Sequence, residues 1–268
     1  MLIGVELVQE FVESVIMTGR VKGIPPLSTL IIGKPESGKT SIVTEKQCPT
    51  IECFSDVTGR GILEIVRDNP QLTHVILNDL VAIMSHKQNV NRYTLAIINA
   101  LTEEGLQGFA TPGGIERIPE GKRGVIACLT FDLASEGRSW WNKTGFSSRL
   151  LPFAFAHSSS LSLKIKAYID NGSHTPKKKA HLRIPAKPIV VPIPPKFVAE
   201  IRKISDAKAQ EFSAVTHEEG YRRLRQFRSL ACGHALRRTF KSPSVGEKEI
   251  EFLERVLPYI SYTKLNPL

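Results

Sequence analysis

Apolar and polar positions alternate along the chain with two periods, and they divide it into short elements. Residues 1–20 open with MLIGVELVQEFVESVIM, where Glu6, Glu10 and Glu13 interrupt an apolar run. No basic start precedes the run, so the pattern predicts an amphipathic helix and not a leader peptide. Arg20 to Pro26 is a glycine- and proline-containing connection, and Ser28 to Ile32 (STLII) reads as a buried strand. Thr40 to Lys46 reads as a helix, Thr50 to Phe54 as a strand, and Gly59 to Arg67 as a helix that stops before Asn69-Pro70. His74 to Leu77 is a β-branched run ending in Asn78-Asp79. Tyr93 to Glu104 is a helix closed by Gly105, and Gly108 to Ile118 is a hairpin turning at Pro112-Gly113-Gly114. Val125 to Thr130 and Leu150 to Ala156 are two further strands. Strands alternating with helices predict an α/β domain over residues 1–165, built on a parallel sheet.

The pattern changes at Asp170 to Pro195. Thr175-Pro176-Lys177-Lys178-Lys179, Ile184-Pro185-Ala186-Lys187-Pro188 and Val191-Pro192-Ile193-Pro194-Pro195 are too dense in proline for helix or central strand. A basic, extended linker is expected over 166–196. From residue 197 to 268 the pattern is helical, with three- and four-residue apolar spacing over Tyr221–Phe240 and Gly246–Tyr259.

Composition adds that this is a soluble globular chain: 268 residues, 41% hydrophobic and 23% charged. No apolar run approaches the roughly 18 residues of a membrane span. Cys48, Cys53, Cys128 and Cys232 have neither metal nor redox spacing, as expected of reduced thiols in a cytoplasmic protein. His74, His86, His157 and His174 show no metal spacing either, and Trp140-Trp141 reads as a packing contact. Charge is unevenly placed. Residues 1–156 carry 15 basic against 16 acidic side chains, and residues 157–268 carry 21 against 10. The whole excess lies in the C-terminal part, so nucleic acid is the first partner to consider, with a merely solvated basic surface as the alternative.

The chemistry is concentrated in Gly33-Lys34-Pro35-Glu36-Ser37-Gly38-Lys39-Thr40, which matches the phosphate-loop pattern G-x-x-x-x-G-K-[ST] between a strand and a helix. Gly33 and Gly38 let the backbone curl so that its N–H groups face one anion, and the helix start adds its positive end. Lys39 is expected on the β- and γ-phosphates, and the Thr40 hydroxyl on Mg²⁺. Downstream, His74-Val75-Ile76-Leu77-Asn78-Asp79 falls where a strand-end carboxylate should serve Mg²⁺ and the attacking water. Thr130 closes the next strand, where a polar group can hold that water or the γ-phosphate. Phe146-Ser147-Ser148-Arg149-Leu150 and then Arg225-Gln226-Phe227-Arg228-Ser229-Leu230 follow.

That series resembles the AAA+ ATPases, and among them the minichromosome maintenance helicases and their relatives. The resemblance covers roughly residues 20–260. It implies a P-loop α/β domain with a small helical lid (residues 197–268), a hairpin at 108–118, a sensor 1 at Thr130, an arginine finger at Arg149 acting on a neighbouring subunit, and a sensor 2 at Arg225, with Arg222 as its alternative. It also implies a homo-oligomer, ring or helical and expected to be hexameric. ATP and Mg²⁺ would lie between subunits, and DNA would be contacted by the hairpin and the basic C-terminal third. Arg117, Lys122 and Arg123 flank the hairpin and are candidates for phosphate contact.

Two departures qualify it. The strand ends Asn78-Asp79-Leu80 and not Asp-Glu. Either Asp79 is the Mg²⁺ carboxylate and the base is missing, or Asn78 takes the first position and Asp79 the second. In both registers slow hydrolysis is expected. The stretch from Thr40 to Asp79 also leaves little room for the helical insert of replicative helicases, so the resemblance is to a minimal core. A nucleotide-switched assembly or loading factor with little turnover is the rival reading. A protein remodeller would need pore-loop aromatics, and the hairpin offers only Phe109.

Overall fold

The computed structural model describes residues 4–106, 108–111, 114–171, 180–212 and 218–268. In chain order the elements are α1 (Glu6–Thr18), β1 (Thr29–Gly33), α2 (Lys39–Thr44), β2 (Lys46–Gln47), β3 (Ile51–Phe54), α3 (Gly59–Asp68) and β4 (His74–Leu77). Then come α4 (Leu80–Met84), α5 (Gln88–Glu103), β5 (Gly108–Thr111), β6 (Gly114–Arg117), β7 (Gly124–Thr130), α6 (Phe131–Lys143) and α7 (Phe146–Arg149). The chain finishes with β8 (Leu151–Ala156), α8 (Ser159–Asp170), β9 (Ala180–His181), α9 (Pro195–Phe212), α10 (Glu218–Arg238), α11 (Glu247–Val256) and β10 (Asn266–Pro267).

Six strands form one sheet in the order β10-β8-β1-β7-β4-β3, and every pairing in it is parallel. All five residues of β1 and all four of β4 are buried, as strands covered on both faces must be. Alternate side chains of β1 enter different cores. Ile31 joins Phe11 and Val15 of α1, Phe153 of β8, Phe227 and Leu230 of α10 and Phe252 of α11. Leu30 and Ile32 join Ile62 of α3, Leu95 and Ile98 of α5, Val75 and Leu77 of β4, and Trp141 of α6. The two-residue strand period thus assigns one helical layer to each face.

The helices expected to form a separate lid share a core with the sheet. α10 lies directly on α1, and a Cβ on Gly233 would come within 2.2 Å of the Ser14 carbonyl oxygen, so only glycine permits this approach. Charged groups tie the same layer together. The two ring nitrogens of His234 face Glu249 at 3.0 Å and Glu10 at 3.1 Å, Arg237 donates to Glu13 at 2.7 Å, and Arg255 donates to Glu10 at 2.9 Å. The hydrogen bond from His234, with help from Arg255 and Arg237, holds the Glu10 carboxyl down at about 2 against its burial. A boundary drawn between residues 196 and 197 therefore runs through one continuous core.

Three further expectations change in detail. The helix after the phosphate loop stops at Thr44 and not at Lys46, because Lys46-Gln47 pairs in parallel with Ala180-His181. The expected linker begins inside α8, where the Ser158 side chain caps the helix by accepting from Leu161 N–H. The described part of the proline-rich segment is a docked strap. Ile189 exchanges backbone hydrogen bonds with Arg20 and Lys22, Pro192 O accepts from Val245 N–H, and Val191 is buried. Lys177, Lys178 and Lys179, and the hairpin tip at Pro112-Gly113, lie outside the described residues. No helix among the described residues is long and apolar enough to cross a membrane.

Candidate nucleotide site

The sheet changes direction of growth at β1. The chain leaves β1 for β3 and β4 on one side, returns to β7 beside β1, and then places β8 on its other flank. A parallel sheet opens a crevice at the carboxyl ends of its strands at such a reversal, and this is where ligands bind. The loop Gly33–Gly38 occupies that place. Gly38 adopts a left-handed conformation (φ 78°) as it enters α2. A Cβ on Gly33 would lie 2.7 Å from Ser37 Oγ and 3.2 Å from Phe155 O. Glu36 at the loop tip is a non-glycine residue with φ of 60°, a strained conformation of the kind found at functional loops.

Lys39 is folded back into its own loop. Its ammonium donates to Lys34 O at 2.6 Å, Gly33 O at 3.0 Å and Ser37 Oγ at 3.3 Å. Burial pushes its pKa down, while the Asp79 carboxylate opposes the shift. The Cys128 thiol is pushed up to about 12, chiefly by burial, and stays protonated. The loop thus holds one sequestered cation within reach of an anion that would replace three neutral acceptors.

Around this ammonium the fold brings Thr40, Asp79 and Thr130 to one edge. Thr40 Oγ1 donates to Asn78 O at 3.4 Å, which sets the hydroxyl beside the end of β4. Asp79 is exposed there and caps α4 by accepting from Val81 N–H at 2.9 Å. Asn78 turns its side-chain oxygen inward, where it is buried with no hydrogen-bond partner. The carboxylate that β4 presents is therefore that of Asp79. Thr130 sits in register with Gly33, so β7 places its hydroxyl-bearing end between the loop and Asp79. No cluster of three or more ligating side chains occurs among the described residues. Thr40 and Asp79 fit a hard cation that keeps most of its water and takes further oxygens from phosphate, as Mg²⁺ does. Sequence reasoning passed over Asp132, an exposed carboxylate on the first turn of α6 just beyond Thr130. Its position two residues after a strand-end threonine was the available signal.

Arg149 and Arg225 are not at this edge. Leu151 pairs with Thr29, at the amino end of β1, and Arg149 lies two residues before it. At about 3.3 Å per residue, the strand alone puts roughly 13 Å between that register and Gly33. Arg149 Nη1 donates to Gly145 O at 2.6 Å. The start of α10 clamps the same segment: Gln226 donates to Arg149 O at 3.1 Å and to Ser148 O at 3.3 Å, and Arg223 donates to Leu150 O at 3.3 Å. Arg225 and Arg222 both approach Glu103 at the end of α5, at 3.7 and 3.3 Å. Arg225 and Arg149 thus lie together at the edge opposite the phosphate loop of the same chain, because α10 seats the Arg149 segment there.

No model of a known protein family matches the chain, and no curated protein matches it. The site therefore rests on its own geometry.

The basic residues are also redistributed. Among the arginines that the sequence offers to nucleic acid, Arg223 is only 3% exposed, and Arg237 and Arg238 are engaged by Glu13 and Glu249. Within α10, Arg223, Arg237 and Arg238 are thus engaged by the fold, while Arg225 and Arg228 stay exposed. The hairpin β5–β6 stands apart, with Ile115 and Arg117 exposed and Glu116 held by Arg67 at 2.6 Å.

Proposed function

We propose that this chain is a P-loop ATPase of the AAA+ type, resembling the minichromosome maintenance group, whose copies assemble with ATP·Mg²⁺ between them and act on DNA. The observation that carries the reading is the Lys39 ammonium, buried within a curled loop at the switch point of a parallel sheet and held by neutral carbonyls. An incoming polyphosphate would take over those contacts. Backbone N–H groups of residues 34–39 would orient it, and Lys39 would stabilise charge on the β- and γ-phosphates. Thr40 and Asp79 would hold the metal, which supplies charge neutralisation when bound. Thr130 would position the attacking water. Arg149 from a second copy would stabilise charge developing on the γ-phosphate, which its place at the far edge allows in trans and not in cis.

A second reading, a nucleotide-switched assembly factor with little turnover, is favoured by one observation. Asp79 is the carboxylate β4 presents, and it already serves as a helix cap. Turnover separates the two. ATP binding by calorimetry and steady-state hydrolysis, with and without DNA, should show micromolar-range binding that Lys39→Ala abolishes in a folded protein. Asp79→Asn should keep ATP and lose turnover. Unchanged affinity and unchanged turnover in folded Lys39→Ala would remove the central claim. Tight binding with no measurable turnover would select the assembly factor.

A further inference from the structure

The recess at the amino edge of the sheet holds more positive charge than its own acid can neutralise. Glu103 Oε1 lies 3.3 Å from Arg222 Nη2 and 3.7 Å from Arg225 Nη2, and its Oε2 lies 3.9 Å from Arg149 Nε. Lys122 lines the same recess. One carboxylate thus faces three guanidinium groups. All three contacts are longer than the roughly 2.7–2.9 Å of a well-made charge-assisted hydrogen bond. The Nε atoms of Arg149 and Arg222 are buried and have no hydrogen-bond partner. The guanidiniums are nevertheless held in place, Arg149 on Gly145 O and Arg222 on Ser148 Oγ. Immobilised cations with unused donors, loosely shared by a single acid, form a site prepared for a multivalent oxyanion.

We propose that Glu103 is a placeholder counter-ion. It holds Arg149, Arg222 and Arg225 together in the separate subunit and yields them to a polyphosphate. Arg222 then contacts phosphate beside Arg149. This rests on the reading that nucleotide lies between copies, because the expected source of the phosphate is the nucleotide bound by a second copy. The carboxylate and the phosphate compete for the same donors, so Glu103 acts as a positioning residue whose removal favours the anion. A residue that only supported the fold would not produce a gain in affinity when replaced.

Inorganic tripolyphosphate is the probe, titrated by calorimetry into full-length protein carrying Lys39→Ala so that the phosphate loop is disabled. Weak binding is expected. Adding Glu103→Gln should tighten it about tenfold, because an opposing charge a few ångströms away is removed. Adding Arg222→Ala should weaken it by a similar factor, and this second variant keeps the test decisive if Glu103→Gln does not fold. No binding to the Lys39→Ala protein overturns the proposal, as does affinity that Glu103→Gln leaves unchanged or lowers, or that Arg222→Ala leaves unchanged. The source is tested by mixing. Lys39→Ala/Glu103→Gln subunits, added to Arg149→Ala subunits, should restore hydrolysis at lower protein concentration than Lys39→Ala subunits do. If the tripolyphosphate results hold but no mixture hydrolyses ATP, the placeholder stands, the recess takes free polyphosphate, and the between-copies reading fails.

Discussion

The two edges of the sheet carry the same kind of cargo, cations with an acid nearby, and are built in opposite ways. At the carboxyl edge, Lys39 is enclosed by the backbone of its own loop, with contacts two to six residues away in sequence. At the amino edge, Arg149, Arg222 and Arg225 meet Glu103 only because α5, α7 and α10 converge, and Arg222 is 119 residues from its acid. A phosphate-binding loop can be encoded locally, since backbone curvature and a helix start do the work. A cationic cluster can be assembled only by tertiary packing. Under the proposed function the edges would divide the labour, one binding a nucleotide alone and the other completing a site on a second copy.

The largest expected effect tests that division directly. Arg149→Ala should keep ATP affinity and lose hydrolysis by about 10³-fold, the low end of what a charge-stabilising arginine contributes. Mixed with Lys39→Ala subunits it should regain part of the activity, because some interfaces then pair an intact loop with an intact arginine. Full activity in a demonstrated monomer, or a mixture as inactive as its parts, would show that the edges do not cooperate.

Acidification should separate the edges next. His74 begins β4 at the amino edge, with its ring 3.2 Å from Leu27 O, and burial lowers its pKa to about 4 from an ordinary 6.5. Between these values the unfolded chain binds the proton and the folded chain does not, so stability rises with pH across that window. The contribution is complete above pH 6.5 and lost as pH falls towards 4, and at about 1.4 kcal/mol per unit it amounts to about 3 kcal/mol. Denaturant melts of wild type and His74→Gln over pH 4–7 should show the slope in the wild type alone. Equal slopes would assign it to other groups.

Gln226→Ala should loosen the Arg149 segment without touching the phosphate loop. The buried amide accepts from Arg223 at 2.7 Å and donates to two backbone carbonyls, so its loss leaves buried polar groups unsatisfied. A cost of about 1–3 kcal/mol is expected, with ATP affinity unchanged and hydrolysis reduced about tenfold through the displaced arginine. A parallel loss of ATP affinity would mean that the edges are coupled through the sheet.

These contrasts also mark what could be read from sequence. The eight residues Gly33 to Thr40 place the site, because glycine and lysine there act through local geometry. Asp79 and Thr130 follow from strand ends. The reach of α10 could not be read: an arginine-rich helix looks the same whether its charges face solvent or pair inside, and Arg237 and Glu13 are 224 residues apart. Proline density over Ile184–Pro194 matches the absence of helix there, but Pro195 opens α9, where its missing N–H costs nothing, and the density hid docking, since the buried Val191 is legible only as one apolar residue among prolines. Ser158 before an apolar run was a legible cap for α8 that the strand–linker division obscured.

The smallest effect bears on the carboxyl edge alone. Thr130 ends β7 beside Gly33, and its hydroxyl matters only if it orients the attacking water or the γ-phosphate. Thr130→Val keeps shape and β-branching and removes that hydroxyl, so strand packing should persist. If the group acts in the transition state alone, kcat should fall roughly three- to tenfold with KM unchanged, the signature of an interaction absent from the ground state. The same variant should leave tripolyphosphate binding at the amino edge untouched, as that edge lies a strand length away. A rise in KM at constant kcat would instead make Thr130 a ground-state phosphate contact. An unaltered kcat and KM would reduce it to an ordinary strand end and leave Asp132, on the first turn of α6, as the polar group next to the site.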